Sequence, residues 1–232
     1  MTTVNNLINS SKMLQMITER LDITPKTKAI KHIEMNPELI ELILDLYNDD
    51  EDFPIEKMQR FSVEEILDYL QTTHQYYLSK KLPEIEQSLL HIFSKYGQSH
   101  QLLASLAIFF NIYKNKLVDH ILLEEKQLFP YIRRMIIASK VKAVCAESLE
   151  IDMEFSIEKF ISSHSLIEDE LKEVSEIIKQ YSDNKTTPLP YKVFLNQVEL
   201  FELELRKHAI IEDHVLVPMV IELEKQTKHF SN

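Results

Sequence analysis

The chain has 232 residues and a formal net charge of −11, with 37 acidic side chains against 26 basic ones. This acidic balance argues against nucleic acid as the main partner, because neutralising phosphates requires a basic surface. The chain contains one glycine, which is too few for a fold rich in tight β-turns. It also contains one cysteine, Cys145, which excludes a disulfide framework and a cysteine-based zinc cluster.

Membrane and export signals are also missing from the pattern of the sequence. No apolar run approaches the roughly 20 residues of a membrane span, and residues 1–12 lack the basic-then-apolar pattern of a signal peptide. We therefore expect a cytoplasmic protein that contacts neither membrane nor nucleic acid, and the sequence leaves its oligomeric state open.

The N-terminal part of the chain reads as a small unit of its own. Asn36-Pro37-Glu38 is a favourable helix start, with Asn as the cap, Pro at the first helical position and an acid in the first turn. The acidic segment 48–54 (NDDEDFP) then interrupts the apolar pattern. We predict a small N-terminal helical unit with its acidic linker over residues 1–55, and a main helical domain over residues 56–232.

Two long amphipathic segments open the main domain. The first begins at a capping box formed by Ser62 and Glu65. Pro83 falls inside its apolar pattern and should kink or restart the helix, because proline removes a backbone donor. The second segment runs from about Ser99 to beyond Ile132.

Two further amphipathic segments complete the main domain. One begins at Ser156, and the other follows the polar loop 182–190 (SDNKTTPLP). Four long helices with few, polar connections predict an all-α fold, namely an antiparallel up-down four-helix bundle.

One motif occurs twice in a fixed frame. Residues 120–130 read HILLEEKQLFP, and residues 208–218 read HAIIEDHVLVP. His120 precedes Glu124 by four positions, as His208 precedes Glu212. Residues four apart lie on one face of a helix, so each segment offers an imidazole and a carboxylate that point the same way. Each pair is a candidate set of metal ligands.

A single histidine lies level with each pair. In an antiparallel helical hairpin, residues equidistant from the turn lie at the same height. His74 and His120 are equidistant from the lone glycine, Gly97, and His164 and His208 are equidistant from the middle of the 182–190 loop. We therefore predict that four histidines and two glutamates meet at one level of the bundle.

The other five histidines have no such partner, and we expect them to be surface or packing residues: His32, His91, His100, His214 and His229. Imidazole and carboxylate ligands without thiolates suit iron, manganese or zinc. Glu125 and Asp213 could orient the ligands, but we favour exposed acids at both positions.

The sequence resembles the hemerythrin-like domain and, within it, the di-iron proteins that repair iron–sulfur clusters. The resemblance covers roughly residues 62–222 and rests on four segments: THQYYLSKKLPEI (73–85), HILLEEKQLFPYI (120–132), SSHSLIEDEL (162–171) and HAIIEDHVLVP (208–218). It implies a centre of two iron ions with an oxo or hydroxo bridge. The metal ligands that it implies are His74, His120, Glu124, His164, His208 and Glu212.

The resemblance also implies a function. We expect a non-haem di-iron protein that repairs or protects iron–sulfur centres under nitrosative or oxidative stress, by donating iron or by reducing NO. Its partners would be O₂ or NO and damaged iron–sulfur proteins. An alternative is a module that reversibly binds or senses O₂ or NO, with the N-terminal helices as its output surface. A third hypothesis is a metal-free bundle that acts as an interaction scaffold.

Overall fold

The computed structural model describes residues 36–48, 53, 55–96, 101–142, 157–163 and 188–229, and every regular element in these ranges is helical. The first two elements are α1 (Pro37–Asn48) and the short α2 (Ile55–Met58). The predicted start of α1 is confirmed, because the side-chain oxygen of Asn36 accepts the Glu38 N–H at 3.0 Å. This bond satisfies one of the backbone donors that a helix N-terminus leaves open.

Three long helices make up most of the rest of the described chain, and each consists of two α-helical parts joined by one π turn. The first is α3 (Val63–Tyr76), π1 (Tyr77–Lys81) and α4 (Leu82–Tyr96). The second is α5 (Gln101–Leu123), π2 (Glu124–Leu128) and α6 (Phe129–Lys142). The third is α8 (Leu189–Ile211), π3 (Glu212–Leu216) and α9 (Val217–His229). A short helix, α7 (Ile157–Ser163), lies between the second and the third.

The predicted capping box at the start of α3 is confirmed. The Ser62 N–H donates to Glu65 Oε2 at 2.9 Å, and the Glu65 N–H donates to Ser62 Oγ at 3.2 Å. The hydrogen bond from the Ser62 backbone is the largest cause of a lowered pKa at the Glu65 carboxyl. Two backbone donors that would otherwise lack partners are thus satisfied reciprocally.

Each π turn ends immediately before a proline-containing pair. In all three turns, the N–H of the residue before proline donates to the carbonyl five residues back: Leu82 to Tyr77, Phe129 to Glu124 and Val217 to Glu212. Proline has no N–H, and its ring would clash with the carbonyl four residues back in a regular helix. The wider turn accommodates the ring. Pro83 therefore does not restart its helix, which continues from the π turn directly into α4, and that part of the expectation is corrected, whereas a kink at this position stays a prediction.

The buried side chains form two hydrophobic clusters. The proximal cluster gathers α1, α2 and the ends of the long helices near them, with Leu39, Ile43, Met58, Ile66, Leu70, Leu128, Phe129, Phe160, Val215 and Val220 among its members. The distal cluster contains Tyr77, Ile85, Leu89, Phe110, Leu117, Ile121, Phe194, Val198, Phe201 and Leu205 among others.

These clusters show the direction in which each long helix runs. The first long helix leaves the proximal cluster and ends in the distal one, whereas the second and third run from the distal cluster to the proximal one. The first is therefore antiparallel to the other two, and α7 begins in the proximal cluster. The described residues thus form an all-helical assembly, and the complete four-helix arrangement stays a prediction because the third predicted helix is described only at Ile157–Ser163.

The N-terminal helix α1 shares the proximal cluster with the long helices. Leu39, Ile43 and Leu46 are fully buried in it. The division of the chain at residue 55 stays a prediction, and residues 1–35 lie outside the described ranges. Within those ranges, no helix combines the length and the apolar character needed to cross a bilayer.

Candidate metal centre

A polar layer separates the two hydrophobic clusters. It contains His74, Glu124, His208 and Glu212, whose exposed fractions are 2%, 0%, 4% and 4%. His120 joins them with a side chain that is 9% exposed. Buried ionisable groups are costly unless they are paired or bind a metal, so this layer calls for a functional explanation.

The two repeated segments supply four of these side chains. His120 Nε2 lies 2.7 Å from Glu124 Oε1, and His208 Nε2 lies 3.9 Å from Glu212 Oε2. Both pairs have the predicted four-residue spacing, which places them on one helix face. In both, the histidine belongs to the last turn of an α-helix and the glutamate is the first residue of a π turn.

The fifth side chain comes from the antiparallel helix α3. His74 Nε2 lies 3.2 Å from Glu124 Oε2 and 3.0 Å from His208 Nε2. The ring of His74 stacks on Phe129, with centroids 5.2 Å apart and an angle of 4° between the planes. The His208 ring meets Tyr77 edge-on at 5.7 Å. These aromatic contacts hold both imidazoles in place before any ion binds.

The ligand atoms fall into two groups that have Glu124 in common. One group is His74, Glu124 and His208, and the other is His120, Glu124 and Glu212. Within each group, one ligand atom per residue lies within 4.8 Å of the others. Nitrogen and carboxylate oxygen donors of this kind suit iron, manganese and zinc. Each group could therefore hold a metal ion, and one carboxylate faces both.

Electrostatics favour a cation in this layer. Burial, followed by the negative charge of Glu124, raises the pKa of the Glu212 carboxyl well above its ordinary value. Burial alone would lower the pKa of His74, but the hydrogen bonds and charges of Glu124 and Glu125 outweigh it and raise this pKa. The shift of His74 reflects the negative charge of its two carboxylate neighbours, whereas the shift of Glu212 reflects burial first and the charge of Glu124 second.

No protein-family model matches the chain, and no solved structure gives a significant match. Two curated relatives match the chain. Both are the iron-sulfur cluster repair protein ScdA, from two strains of Staphylococcus epidermidis, and each is 19% identical over 159 residues. The aligned region covers 68% of this chain and 67% of each relative. The chain is distantly similar to an iron–sulfur cluster repair protein. This similarity and the two His/Glu groups point together to iron centres.

Five of the six predicted ligands thus lie together: His74, His120, Glu124, His208 and Glu212. The sixth, His164, lies outside the described residues, so its role stays a prediction.

The structure describes the side chains of only two of the five histidines that we expected to lie outside the site. His91 and His214 are exposed, as expected of histidines outside the site. His32 and His100 lie outside the described residues, and for His229 the structure describes only the helical backbone.

The expectation for Glu125 was wrong. We favoured an exposed acid, but Glu125 Oε1 lies 3.1 Å from His74 Nδ1 and its side chain is only 23% exposed. Its partner is 51 positions away, so the spacing of the motif gave no sign of it. Phe129 was also missed, although its place before Pro130 in the repeated segment marks it as part of the same turn.

Proposed function

We propose that the chain is a non-haem di-iron protein of the hemerythrin-like type. The observation that carries the proposal is that Glu124 belongs to both ligand groups. A carboxylate between two metal positions in a helical bundle is the arrangement used by di-iron proteins. In this proposal His74 and His208 would hold one ion, His120 and Glu212 would hold the other, and Glu124 would contribute to both. His164, on the predicted helix that starts at Ser156, would be a further ligand.

The proposal of iron rests on the similarity of the chain to the curated relatives. The donor set alone suits manganese and zinc as well, but the curated relatives are named for iron–sulfur cluster repair. Ferrous ions in this site would supply electrons and an affinity for small diatomic molecules. The chain's own residues exclude bulk water, because the polar layer lies between two packed hydrophobic clusters.

The proposed activity is the repair or protection of iron–sulfur centres in the cytoplasm under nitrosative or oxidative stress. It would act by donating iron to damaged iron–sulfur proteins or by reducing NO. The second activity converts two NO molecules, two protons and two electrons into N₂O and water, and a pair of ferrous ions held by these residues would supply the two electrons. The support is the distant similarity to repair proteins together with the His/Glu groups.

Iron quantification and optical spectra test the metal site. Purified full-length protein, expressed in iron-rich medium, should contain two iron ions per chain and change its spectrum with O₂, azide or NO. The Glu124→Ala/Glu212→Ala double variant should lose both properties. A folded wild-type protein with clearly substoichiometric metal would instead favour the scaffold hypothesis.

Two assays then test the activity itself. The iron-loaded protein should restore the activity of an iron–sulfur enzyme that NO has damaged, or consume NO when it is reduced. If a protein loaded with two iron ions does neither, the repair function is rejected while the metal site stands.

A second function is favoured by one contact of the N-terminal part. Gln59, just after α2, donates its side-chain N–H to the backbone carbonyl of His214 at 3.1 Å. This carbonyl lies four residues before Pro218, so it lost its regular helical donor to the proline. Gln59 therefore binds the π turn that begins with Glu212. This contact supports the alternative of a module that reversibly binds or senses O₂ or NO and signals through its N-terminal helices.

Hydrogen exchange discriminates between the two functions. A sensing module should show altered amide exchange in α1 and α2 when the reduced, iron-loaded protein binds O₂ or NO. Gln59→Ala should abolish this response without changing iron content. Unchanged exchange in both helices on gas binding would reject the sensing function.

A further inference from the structure

A continuous hydrogen-bonded chain leads from the metal centre to the protein surface. His74 Nδ1 lies 3.1 Å from Glu125 Oε1, and Glu125 Oε2 accepts a hydrogen bond from Gln71 Nε2 at 2.8 Å. Gln71 Oε1 in turn accepts one from Arg133 Nη2 at 2.5 Å. The same Arg133 nitrogen lies 2.8 Å from Asp68 Oδ1. We call these five residues the polar chain.

The orientation of the Gln71 side-chain amide determines which atoms of the polar chain donate hydrogen bonds and which accept them. Its amide has a donor end and an acceptor end of nearly the same shape, so the amide can flip. Arg133 has donors and no acceptor, and it therefore requires the carbonyl oxygen of Gln71. The amide nitrogen of Gln71 must then face Glu125, which as a carboxylate only accepts. Asp68 holds Arg133 in the position that enforces this choice.

The orientation of the Gln71 amide determines which ring nitrogen of His74 carries the proton. With one carboxylate oxygen held by Gln71, Glu125 presents the other to His74 Nδ1. An ionised carboxylate at Nδ1 requires the proton on that nitrogen, because it has no proton to give. The other ring nitrogen, Nε2, is then the one that faces Glu124 and His208. Partners of this kind fix both the tautomer and the ring orientation of metal-binding histidines.

We propose that Gln71 and Arg133 are positioning residues of the metal centre, which act through Glu125 to hold His74 with Nε2 directed at the His74–Glu124–His208 group. Neither residue touches that group. Arg133 is 40% exposed and lies on α6, whereas Asp68 and Gln71 lie on α3. The inference rests on the proposed metal site and adds two residues that the ligand motif does not contain.

Metal titration of full-length variants tests this role. With Fe²⁺ as the probe under anaerobic conditions, Glu125→Gln should weaken binding of one ion about 10- to 100-fold, the usual effect of losing such a partner. Gln71→Met and Arg133→Met should weaken the same ion roughly 10-fold, while Arg133→Lys should restore most of the affinity. Adding Gln71→Met to Glu125→Gln should cause no further loss, since both act through one path.

A matched control separates positioning from general stability. Lys114 and Glu86 form a similar partly exposed pair at 2.7 Å, away from the ligands. Glu86→Gln should leave iron binding unchanged, and unfolding curves identify any variant that is simply destabilised. If Gln71→Met and Arg133→Met bind two Fe²⁺ ions as tightly as wild type, the positioning role is overturned and the di-iron proposal stands.

The metal-free protein provides the independent measurement. Long-range ¹H–¹⁵N NMR spectra should show a slowly exchanging Nδ1–H of His74 in wild type and its loss or fast exchange in Gln71→Met and Arg133→Met. An Nδ1–H that exchanges equally fast in all three proteins overturns the proposal. A wild-type protein that binds no iron but shows this NMR difference overturns the proposed function, and it leaves only the orientation of His74 by the polar chain standing.

Discussion

The Nε2 atoms of His74 and His208 lie 3.0 Å apart, although the two residues are 134 positions apart in the sequence. At this distance two N–H groups cannot point at each other, so at most one proton lies between the rings. Both rings also belong to the group that contains Glu124. Donor atoms from three helices thus converge on one small volume, where a cation would satisfy all of them.

Glu124 and Glu212 should differ in their effect on metal content, because only Glu124 belongs to both ligand groups. Glu124→Ala should therefore reduce bound iron from two ions to nearly none, while Glu212→Ala should retain the ion held by His74 and His208. Elemental analysis of the purified variants measures both outcomes.

Glu202→Ala is a suitable control for this comparison. Glu202 is also buried on α8 and accepts a hydrogen bond from Arg206, and it belongs to neither ligand group. Equal metal loss in Glu124→Ala and Glu212→Ala would contradict the shared role of Glu124.

The metal-free protein should lose stability as the pH rises. The pKa of Glu212 is raised from 4.5, by burial first and then by the charge of Glu124. A carboxyl whose pKa is higher in the folded protein than in the unfolded chain stabilises the fold at low pH. This stabilisation is fully present below the pKa of the unfolded chain, and it is lost as the pH rises through the pKa of the folded protein. The raised pKa of His74, where Glu124 and Glu125 outweigh the effect of burial, acts in the same direction.

Glu212→Gln should remove much of this pH dependence and stabilise the metal-free protein at neutral pH. Urea unfolding between about pH 5 and pH 8, with a chelator present, gives the midpoint of unfolding at each pH. Glu86→Gln should follow the wild-type profile, since Glu86 lies outside the layer. A wild-type stability that rises over this range would refute the prediction.

The capping box at the start of α3 should contribute measurably to stability. Ser62→Ala removes the oxygen that accepts the Glu65 N–H and should cost about 1 kcal/mol. The hydrogen bond from the Ser62 backbone lowers the pKa of the Glu65 carboxyl. The stability that this bond contributes should be fully present above the pKa that Glu65 has in the unfolded chain. It should be lost as the pH falls through the pKa that Glu65 has in the folded protein.

Thermal and urea unfolding measure this loss, and Ser94→Ala is the matched control. Ser94 Oγ bonds the His91 carbonyl inside a helix on an exposed face, so its removal should change stability by less than about 0.5 kcal/mol. Equal losses at both serines would show that the cap has no special role.

The π turns should make one-residue deletions tolerable at specific places. One residue corresponds to about 100° of helix rotation. Deleting the exposed Lys126 together with Pro130→Ala should convert π2 into a regular turn and keep the helix in register on both sides. Deleting the exposed Lys116 in the middle of α5 should rotate Leu117 and its neighbours out of the core and prevent cooperative folding.

Circular dichroism during thermal unfolding distinguishes these two deletion variants. The Lys126 variant should unfold in one sharp transition, and the Lys116 variant should not. If both unfold without a sharp transition, the π turn is not a simple one-residue insertion.

Local rules explain which features the sequence could reveal. The capping box at Ser62 and the start at Asn36 depend on neighbours within a few residues, so both were predictable. The position of His74 opposite Glu124 followed from counting along a hairpin. The π turns were not predictable, because choosing the i−5 carbonyl depends on packing on both sides of the proline. The contacts of Glu125 and Gln71 were not predictable for the same reason, because their partners lie on another helix.

The polar layer between the proximal and distal clusters also bears on folding cooperativity. Small domains usually unfold in one cooperative transition, but here buried carboxylates lie between the two hydrophobic clusters. Without metal, the two clusters should behave as partly independent units, with different hydrogen-exchange rates and a shallow denaturation curve. Ions that tie the three long helices together at this height would merge them into one cooperative unit, so the sharpness of unfolding should itself report whether the site is filled.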